Sequence, residues 1–416
     1  MDYQVHTLDN GIRIVHKHWP SVVAHCGVII NTGSRDEKEN EKGMAHFIEH
    51  TLFKGTINRR AYHILSRIEN VGGMINAFTT KEETCIYGSF LKHDYSRALE
   101  LFSDISQNST FPEKEIRKEK DIVIDEINSY LDTPSEAIFD EFEDMMFRGH
   151  PLGSNILGTP ENVSKFNRKQ ILRFMKENYH TDQTVICSVG NISFNKLIKL
   201  AEKYFGNVKP SRRSKSRQPF ISNTQFIKKK ALGSHQSHTI LGSRAYSYDN
   251  PKRYALSLLN HILGGPGMST RLNMNISEKY GFCYNLESHY QPYSDTGIFM
   301  IYMGTASGYM EKTLSLVKKE LKKLRDNELG SLQLKRAKKQ LIGHMAISNE
   351  SSLNQMIGMG KHMLLYNKIE TFEEFVNKID SIESKALLTV ANEILQEKDL
   401  SQLTYTSDKN KAISNS

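Results

Sequence analysis

The sequence predicts an α+β protein of two homologous domains, each a mainly antiparallel sheet packed against helices. Three observations carry this expectation. Strand-like alternation and amphipathic helical periodicity are interleaved through both halves of the chain. Gly33-Ser34-Arg35 recurs as Gly242-Ser243-Arg244, an offset of 209 (242 minus 33), and the same offset sets Gly55 on Gly264, each at the end of an apolar helical stretch. Residues 208–231 replace periodic apolar residues with charge, serine and proline, which marks a connection between the halves. A length of 416 residues agrees, being too great for one ordinary core.

The first twenty residues alternate and turn at Asp9-Asn10-Gly11, so they read as strand and not as an export signal. Strands are expected at 12–17 and 22–31, then a helix at 43–54 and another at 59–70 that Gly72-Gly73 stops. Strands follow at 74–80 and 84–91. Helices then dominate, at 94–107, at 112–131 with Pro112 suited to its first turn, at 135–147 and at 168–178. A strand at 184–189 and a helix at 194–205 close the first half.

Apolar residues at 38% and charged residues at 25% exclude collagen-like, coiled-coil and wholly disordered chains. No run approaches the length of a membrane-spanning helix, so no membrane partner is expected. The net charge of +8, from 55 Lys+Arg against 47 Asp+Glu, is mild and interspersed in sign, so no nucleic acid is expected either. The cationic residues of 208–231 read as a solvated linker; a nucleic-acid binder built on them would show steep salt dependence. Cys26, Cys85, Cys187 and Cys283 stand far apart with no CxxC pair, which suggests packing thiols and a cytoplasmic location.

The chemistry concentrates in Gly43-Met44-Ala45-His46-Phe47-Ile48-Glu49-His50. Two histidines at i and i+4 share one helix face and can hold one metal ion. Glu49 sits on nearly the same face, within reach of a water beside that ion. The pattern is H-x-x-E-H, the inverted form of the H-E-x-x-H zinc motif. Under the offset of 209, His46, Glu49 and His50 fall on Ala255, Leu258 and Leu259, so the second copy shows the purely structural version of this helix. Two histidines and a glutamate on an exposed helix remain the bland alternative.

A catalytic zinc needs a third ligand. The helix at 112–131 offers Glu119 and Glu126, two turns apart beside a stripe of Ile116, Val123, Ile127 and Tyr130. Either carboxylate bordering a buried face needs a partner, and a metal or a ligating histidine is a natural one.

Gly43 to Thr56, with Gly33-Ser34-Arg35 upstream and Arg117 to Ile127 downstream, resembles the M16 zinc peptidase family of pitrilysin, insulin-degrading enzyme, mitochondrial processing peptidase and bacterial relatives. The resemblance spans nearly the whole chain, and the family's third ligand lies about 75 residues beyond the second histidine, against 76 here (126 minus 50). It implies the LuxS/MPP-like metallohydrolase fold and one zinc per chain, held by His46, His50 and Glu126. It further implies Glu49 as general base, Glu119 as the carboxylate supporting a ligand, and Asn76-Ala77-Phe78 as an edge strand that pairs with extended peptide. The implied domains are a metal-binding catalytic domain at 1–208, a basic linker at 209–231 and an inactive duplicate at 232–416 contributing a substrate-binding Tyr284.

The implied function is zinc-dependent endopeptidase action on peptides or unfolded segments, with a non-catalytic core subunit on the same fold as the alternative. One position departs from the family. Where the family carries an Arg seven residues before its Tyr, this chain has Ser277, which has neither the charge nor the donor fork of a guanidinium. Arg271 lies earlier on the same stretch. Chains of this length build the family's chamber by pairing, so a sister subunit supplying an Arg-Tyr pair is expected, or a homodimer using Tyr284. His16-x-His18 reads as a surface strand pair, Gly264-Gly265-Pro266-Gly267 as a turn lacking the Lys of a phosphate loop, and Tyr290, Tyr293 and Tyr302 as strand aromatics.

Overall fold

The computed structural model describes residues 3–221, 224–232, 236–306 and 308–406. In chain order the first half runs β1 (Tyr3–Thr7), β2 (Arg13–His18), β3 (Val23–Ile30), α1 (Met44–Leu52), α2 (Ala61–Glu69), β4 (Met74–Thr79), β5 (Thr84–Leu91), α3 (Tyr95–Asn108) and α4 (Glu113–Leu131). It continues with α5 (Pro134–Met146), α6 (Pro160–Lys165), α7 (Arg168–Asn178), β6 (Thr184–Gly190) and α8 (Phe194–Phe205). The second half comprises β7 (Ile227–Ala231), β8 (Gln236–Ala245), α9 (Arg253–Gly264), the one-turn α10 (Glu278–Tyr280), β9 (Cys283–Pro292) and β10 (Gly297–Ala306). It ends with α11 (Met310–Asp326), α12 (Ser331–Ser348), α13 (Ser352–Tyr366), α14 (Phe372–Asp380), α15 (Ser384–Ile394) and β11 (Ser401–Thr406). None of the described helices is long and apolar enough to cross a membrane.

Two compact units result. One is Met1–Asn128, Ser154–Gln218 and Ile347–Thr371; the other is Ser129–Gly153, Pro219–Ala346 and Phe372–Ser416. The first holds a sheet in the order β1-β2-β6-β3-β5-β4 and the second a sheet in the order β7-β11-β8-β10-β9. Without β1 the two orders are the same, element for element. In each, one pair is parallel, β2 with β6 and β7 with β11, and every other pair is antiparallel. The duplication inferred from sequence is therefore a duplication of topology.

Both sheets are covered on both faces, which explains the near-continuous burial of β6 and β10. In the first unit Ile186 of β6 joins the core under Phe47, Ile48, Phe102 and Val123. Val185, Cys187 and Val189, alternating on the other side of the same strand, pack with Met356, Met359 and Met363 of α13. In the second unit Phe299 and Ile301 face the helical core of α9, α11 and α15, while Met300 and Tyr302 meet Ile138, Phe142 and Met146 of α5. Each sheet thus takes the cover of its second face from the other half of the chain. Chain order alone carries no sign of this exchange, because an amphipathic helix does not state which sheet it will cover.

Three further expectations change. The segment expected as a linker at 209–231 contains β7, whose exposed Lys228, Lys229 and Lys230 lie on an edge strand, where lysines discourage pairing with other chains. The same run is not wholly solvated: Arg217 pairs with Asp36 at 2.7 Å and Arg213 with Asp36 at 2.8 Å, both nearly buried. The two Gly-Ser-Arg triplets are not structurally equivalent, since Ser34 and Arg35 begin a 3-10 turn whereas Gly242-Ser243-Arg244 lies inside β8. The helices themselves do keep the offset of 209, α1 starting at Met44 and α9 at Arg253.

Candidate metal centre

The site is built on α1. Gly43 enters the helix at φ +92°, a left-handed conformation natural to glycine, and a Cβ there would lie 2.6 Å from the Leu157 carbonyl oxygen. Glu37 is buried and accepts the free amides of the first turn: its Oε2 from Gly43 N at 2.8 Å and its Oε1 from Ala45 N at 2.8 Å. Burial raises the Glu37 carboxyl, and these two amides pull it back. Upstream, Arg35 pairs with Glu82 at 2.7 Å, which ties down the approach to α1.

His46 and His50 project from successive turns with ring centroids 4.6 Å apart. Glu126 of α4 faces both, Oε1 at 3.8 Å from His46 Nε2 and Oε2 at 3.4 Å from His50 Nε2. One donor atom from each of the three lies within 4.8 Å of the others. Two ligands of one tetrahedral zinc, each bonded at about 2.0–2.1 Å, stand roughly 3.4 Å apart. Both contacts are near that ligand spacing. His46 is buried, burial and His50 lower its pKa to about 4, and its Nδ1 meets no partner among the described residues. A neutral, buried imidazole with so little hydrogen bonding suits a cation, so the donor set fits zinc.

On the far side of His50, Nδ1 lies 3.4 Å from Glu119 Oε2, and Glu119 Oε1 receives Lys54 Nζ at 2.7 Å. Glu119 is 4% exposed, whereas the Glu126 side chain is 43% exposed. Of the two carboxylates that spacing alone left open, the exposed one faces both histidines and the buried one faces only His50. Glu49 is half-buried; burial raises its carboxyl, and Thr79 at the end of β4 and His50 pull it back.

Asn76, Ala77 and Phe78 lie in β4, which is the open edge of the six-stranded sheet. The Ala77 amide is taken up locally by Asn76 Oδ1 at 2.8 Å. Tyr284 belongs to the other unit, on the edge strand β9, with 71% of its surface exposed. Ser277 ends a π-helical turn just before α10. Tyr290 and Tyr302 lie in β9 and β10, and Tyr293 between them. His16 is not a surface residue: it is fully buried, with Nδ1 3.2 Å from Ser188 Oγ and Nε2 3.2 Å from the Ile192 carbonyl, while His18 is exposed.

Glu37 and Lys54 were not among the sequence candidates. Lys54 was findable, standing one turn after His50 on α1's continuation. Glu37 was not, because it lies outside any periodic segment.

The sequence profile described as Insulinase (Peptidase family M16) matches residues 13–160, and that described as Peptidase M16 inactive domain matches residues 165–341. The chain is 34% identical over 394 residues to an uncharacterized zinc protease, YmxG, of Bacillus subtilis, covering 94% of this chain and 95% of that protein. It is 33% identical over 396 residues to an uncharacterized zinc protease of Rickettsia bellii, with the same two coverages of 94% and 95%. Among solved structures, a protease from Helicobacter pylori superposes with a TM-score of 0.90 at 22% identity, over 98% of this chain and 100% of that one. The peptidase M16 inactive domain from Pseudomonas fluorescens gives 0.91 at 21% identity, over 98% of both. These two likenesses speak for the fold.

Proposed function

Since the chain belongs to the M16 (insulinase) peptidase family, we propose that it is a zinc-dependent endopeptidase hydrolysing peptides or unfolded segments within a two-chain chamber. The observation that carries this is the convergence of His46, His50 and Glu126, with Glu49 on the same helix. His46, His50 and Glu126 would hold one zinc ion per chain, which when bound supplies Lewis acidity toward a carbonyl and toward water.

The chain's own residues supply the remainder. Glu49 takes the attacking water's proton on its carboxylate and delivers it to the leaving amine nitrogen, so that one side chain serves both halves of the reaction. Glu119 holds the His50 ring through Nδ1. The open side of β4, at Asn76, Ala77 and Phe78, offers backbone groups to an extended peptide, which aligns the scissile bond without reading its sequence. Tyr284, whose hydroxyl makes no hydrogen bond to a described residue, is the donor we assign to the substrate's developing oxyanion.

Ser277 stands where the family carries the arginine that accompanies that donor. We therefore favour assembly with a sister subunit that supplies an Arg-Tyr pair, with a homodimer using Tyr284 as the competing arrangement. Ser277 is also what favours the second reading, a non-catalytic core subunit on the same fold. Metal analysis, native mass and peptide hydrolysis on the purified chain test these together. Glu49→Gln is expected to keep stoichiometric zinc and lose hydrolysis by orders of magnitude, and Glu126→Ala to lose both. Strong hydrolysis by the chain alone removes the sister subunit; zinc without hydrolysis, even with candidate partners added, favours the core subunit.

A further inference from the structure

The second unit contains a pocket of about 560 Å³ bounded by α9, the glycine-rich turn after it and α12. That volume is in the range of small-ligand and peptide subsites. Its polar lining is strongly one-sided. Arg271 and Arg336 reach it, no acidic side chain lines it, and neither guanidinium makes an ion pair or hydrogen bond with a described residue. Uncompensated guanidinium pairs are matched to oxyanions by their planar donor forks.

The rest of the lining sharpens the ligand. Gln333, Arg336, Gln340 and His344 recur at three- and four-residue spacing, so one face of α12 is turned into the pocket. His344 meets the buried His261 of α9 edge to face, centroids 5.0 Å apart. Burial, then His344, lowers the His261 pKa, so that ring offers one donor and one acceptor. Ile262, Met268 and Leu329 provide apolar walls. No Phe, Tyr or Trp lines it, so a nucleotide base would find no ring to stack on.

We propose that this pocket binds a carboxylate of a peptide, an acidic side chain or a chain terminus beside an apolar residue, with Arg271 and Arg336 as its anion ligands. The peptide in this assignment rests on the peptidase reading. It gives that reading a substrate class: acidic-apolar segments, engaged by the second unit.

Fluorescence anisotropy on the full chain, purified without added metal so that nothing is cleaved, tests it with three labelled peptides. One carries Glu-Leu-Glu and a capped C-terminus, one Gln-Leu-Gln and a capped C-terminus, and one Gln-Leu-Gln with a free C-terminal carboxylate. At least one carboxylate peptide is expected to bind about tenfold or more tightly than the capped Gln peptide, and which one does so identifies the source of the carboxylate. Arg271→Gln and Arg336→Gln are each expected to erase most of that preference. Gln340→Glu on the exposed face of α12 should erase it by repulsion, and covers the case in which an arginine variant fails to fold.

Equal binding of acidic and neutral peptides overturns the proposal, as does a preference that survives both arginine substitutions. So does tight binding of ATP or inorganic phosphate with no peptide bound. Hydrolysis by the zinc-loaded chain is scored separately. Binding with no hydrolysis counts against the peptidase reading and leaves the pocket standing; hydrolysis with no carboxylate preference does the reverse.

Discussion

Glu119 stands 3.4 Å from His50, Oε2 to Nδ1, on the side of the ring opposite the nitrogen that Glu126 faces. His50 is therefore held between a buried carboxylate and an exposed one. The buried carboxylate fixes the ring and its tautomer, and its charge is balanced by Lys54. Glu119→Ala is expected to weaken zinc affinity by about 10–100-fold while leaving one ion per chain at saturation. Competition against a chelating fluorophore measures this. An unchanged affinity would assign Glu119 to Lys54 alone.

The start of α1 depends on Glu37. Replacing it with Ala leaves the Gly43 and Ala45 amides without their acceptors, at a cost on the order of 2–4 kcal/mol. Gln is expected to recover only part of this, since one of its two terminal atoms is a donor facing a donor. Urea unfolding of the three proteins gives the comparison. Equal midpoints for all of them would mean that water serves these amides as well.

Gly43 and Gly72 provide a matched pair. Both have positive φ, +92° and +76°, but a Cβ at Gly43 collides with the 157–158 backbone while one at Gly72 meets nothing within 4 Å. Gly72→Ala should cost about 1 kcal/mol from backbone conformation alone. Gly43→Ala should cost clearly more and also weaken zinc binding, because α1 must shift. Thermal melting of both variants decides whether close approach or backbone conformation matters at Gly43.

His16 gives the fold a dependence on pH. Burial lowers its pKa to about 4, and the ordinary value is near 6.5. Between these values the unfolded chain binds the proton and the folded chain does not, so this contribution to stability rises with pH through the window and is lost on acidification from about 6.5 to about 4. His16→Gln should reduce the difference between urea midpoints measured at pH 7.5 and pH 5. The same slope in the variant would assign the acid sensitivity to other groups.

Much of this was legible in the residues. The first-half strands and helices expected from 12 onward fall within two residues of where periodicity and stop signals set them, because α4 keeps Ile116, Val123 and Ile127 buried and Gly72 ends the chain's turn out of α2 as a glycine should; the short α6 was not expected. The approach of Glu126 to His46 and His50 was legible because it depends on fixed spacing along two regular helices. What periodicity does not encode is destination. Alternation marks β7 poorly, since an edge strand rich in lysine has the composition of a linker. His16 looked like half of a surface pair, yet Ser188 and the Ile192 carbonyl satisfy it inside the core. Glu37 and Arg217 are likewise fixed by partners remote in sequence, which single-segment reading has no means to supply.

The exchange of α5 and α13 between the halves bears on how the molecule is made. A ribosome releases the last strand of the six-stranded sheet at Gly190, but the helix that shields its second face, Ser352–Tyr366, emerges only after most of the second unit. Until then Val185, Cys187 and Val189 lie uncovered, and the unit that bears the histidines is an unfinished one. The unit that bears the histidines therefore cannot close on its own strands alone, and a chain truncated before Ser352 is expected to leave that face of the sheet bare.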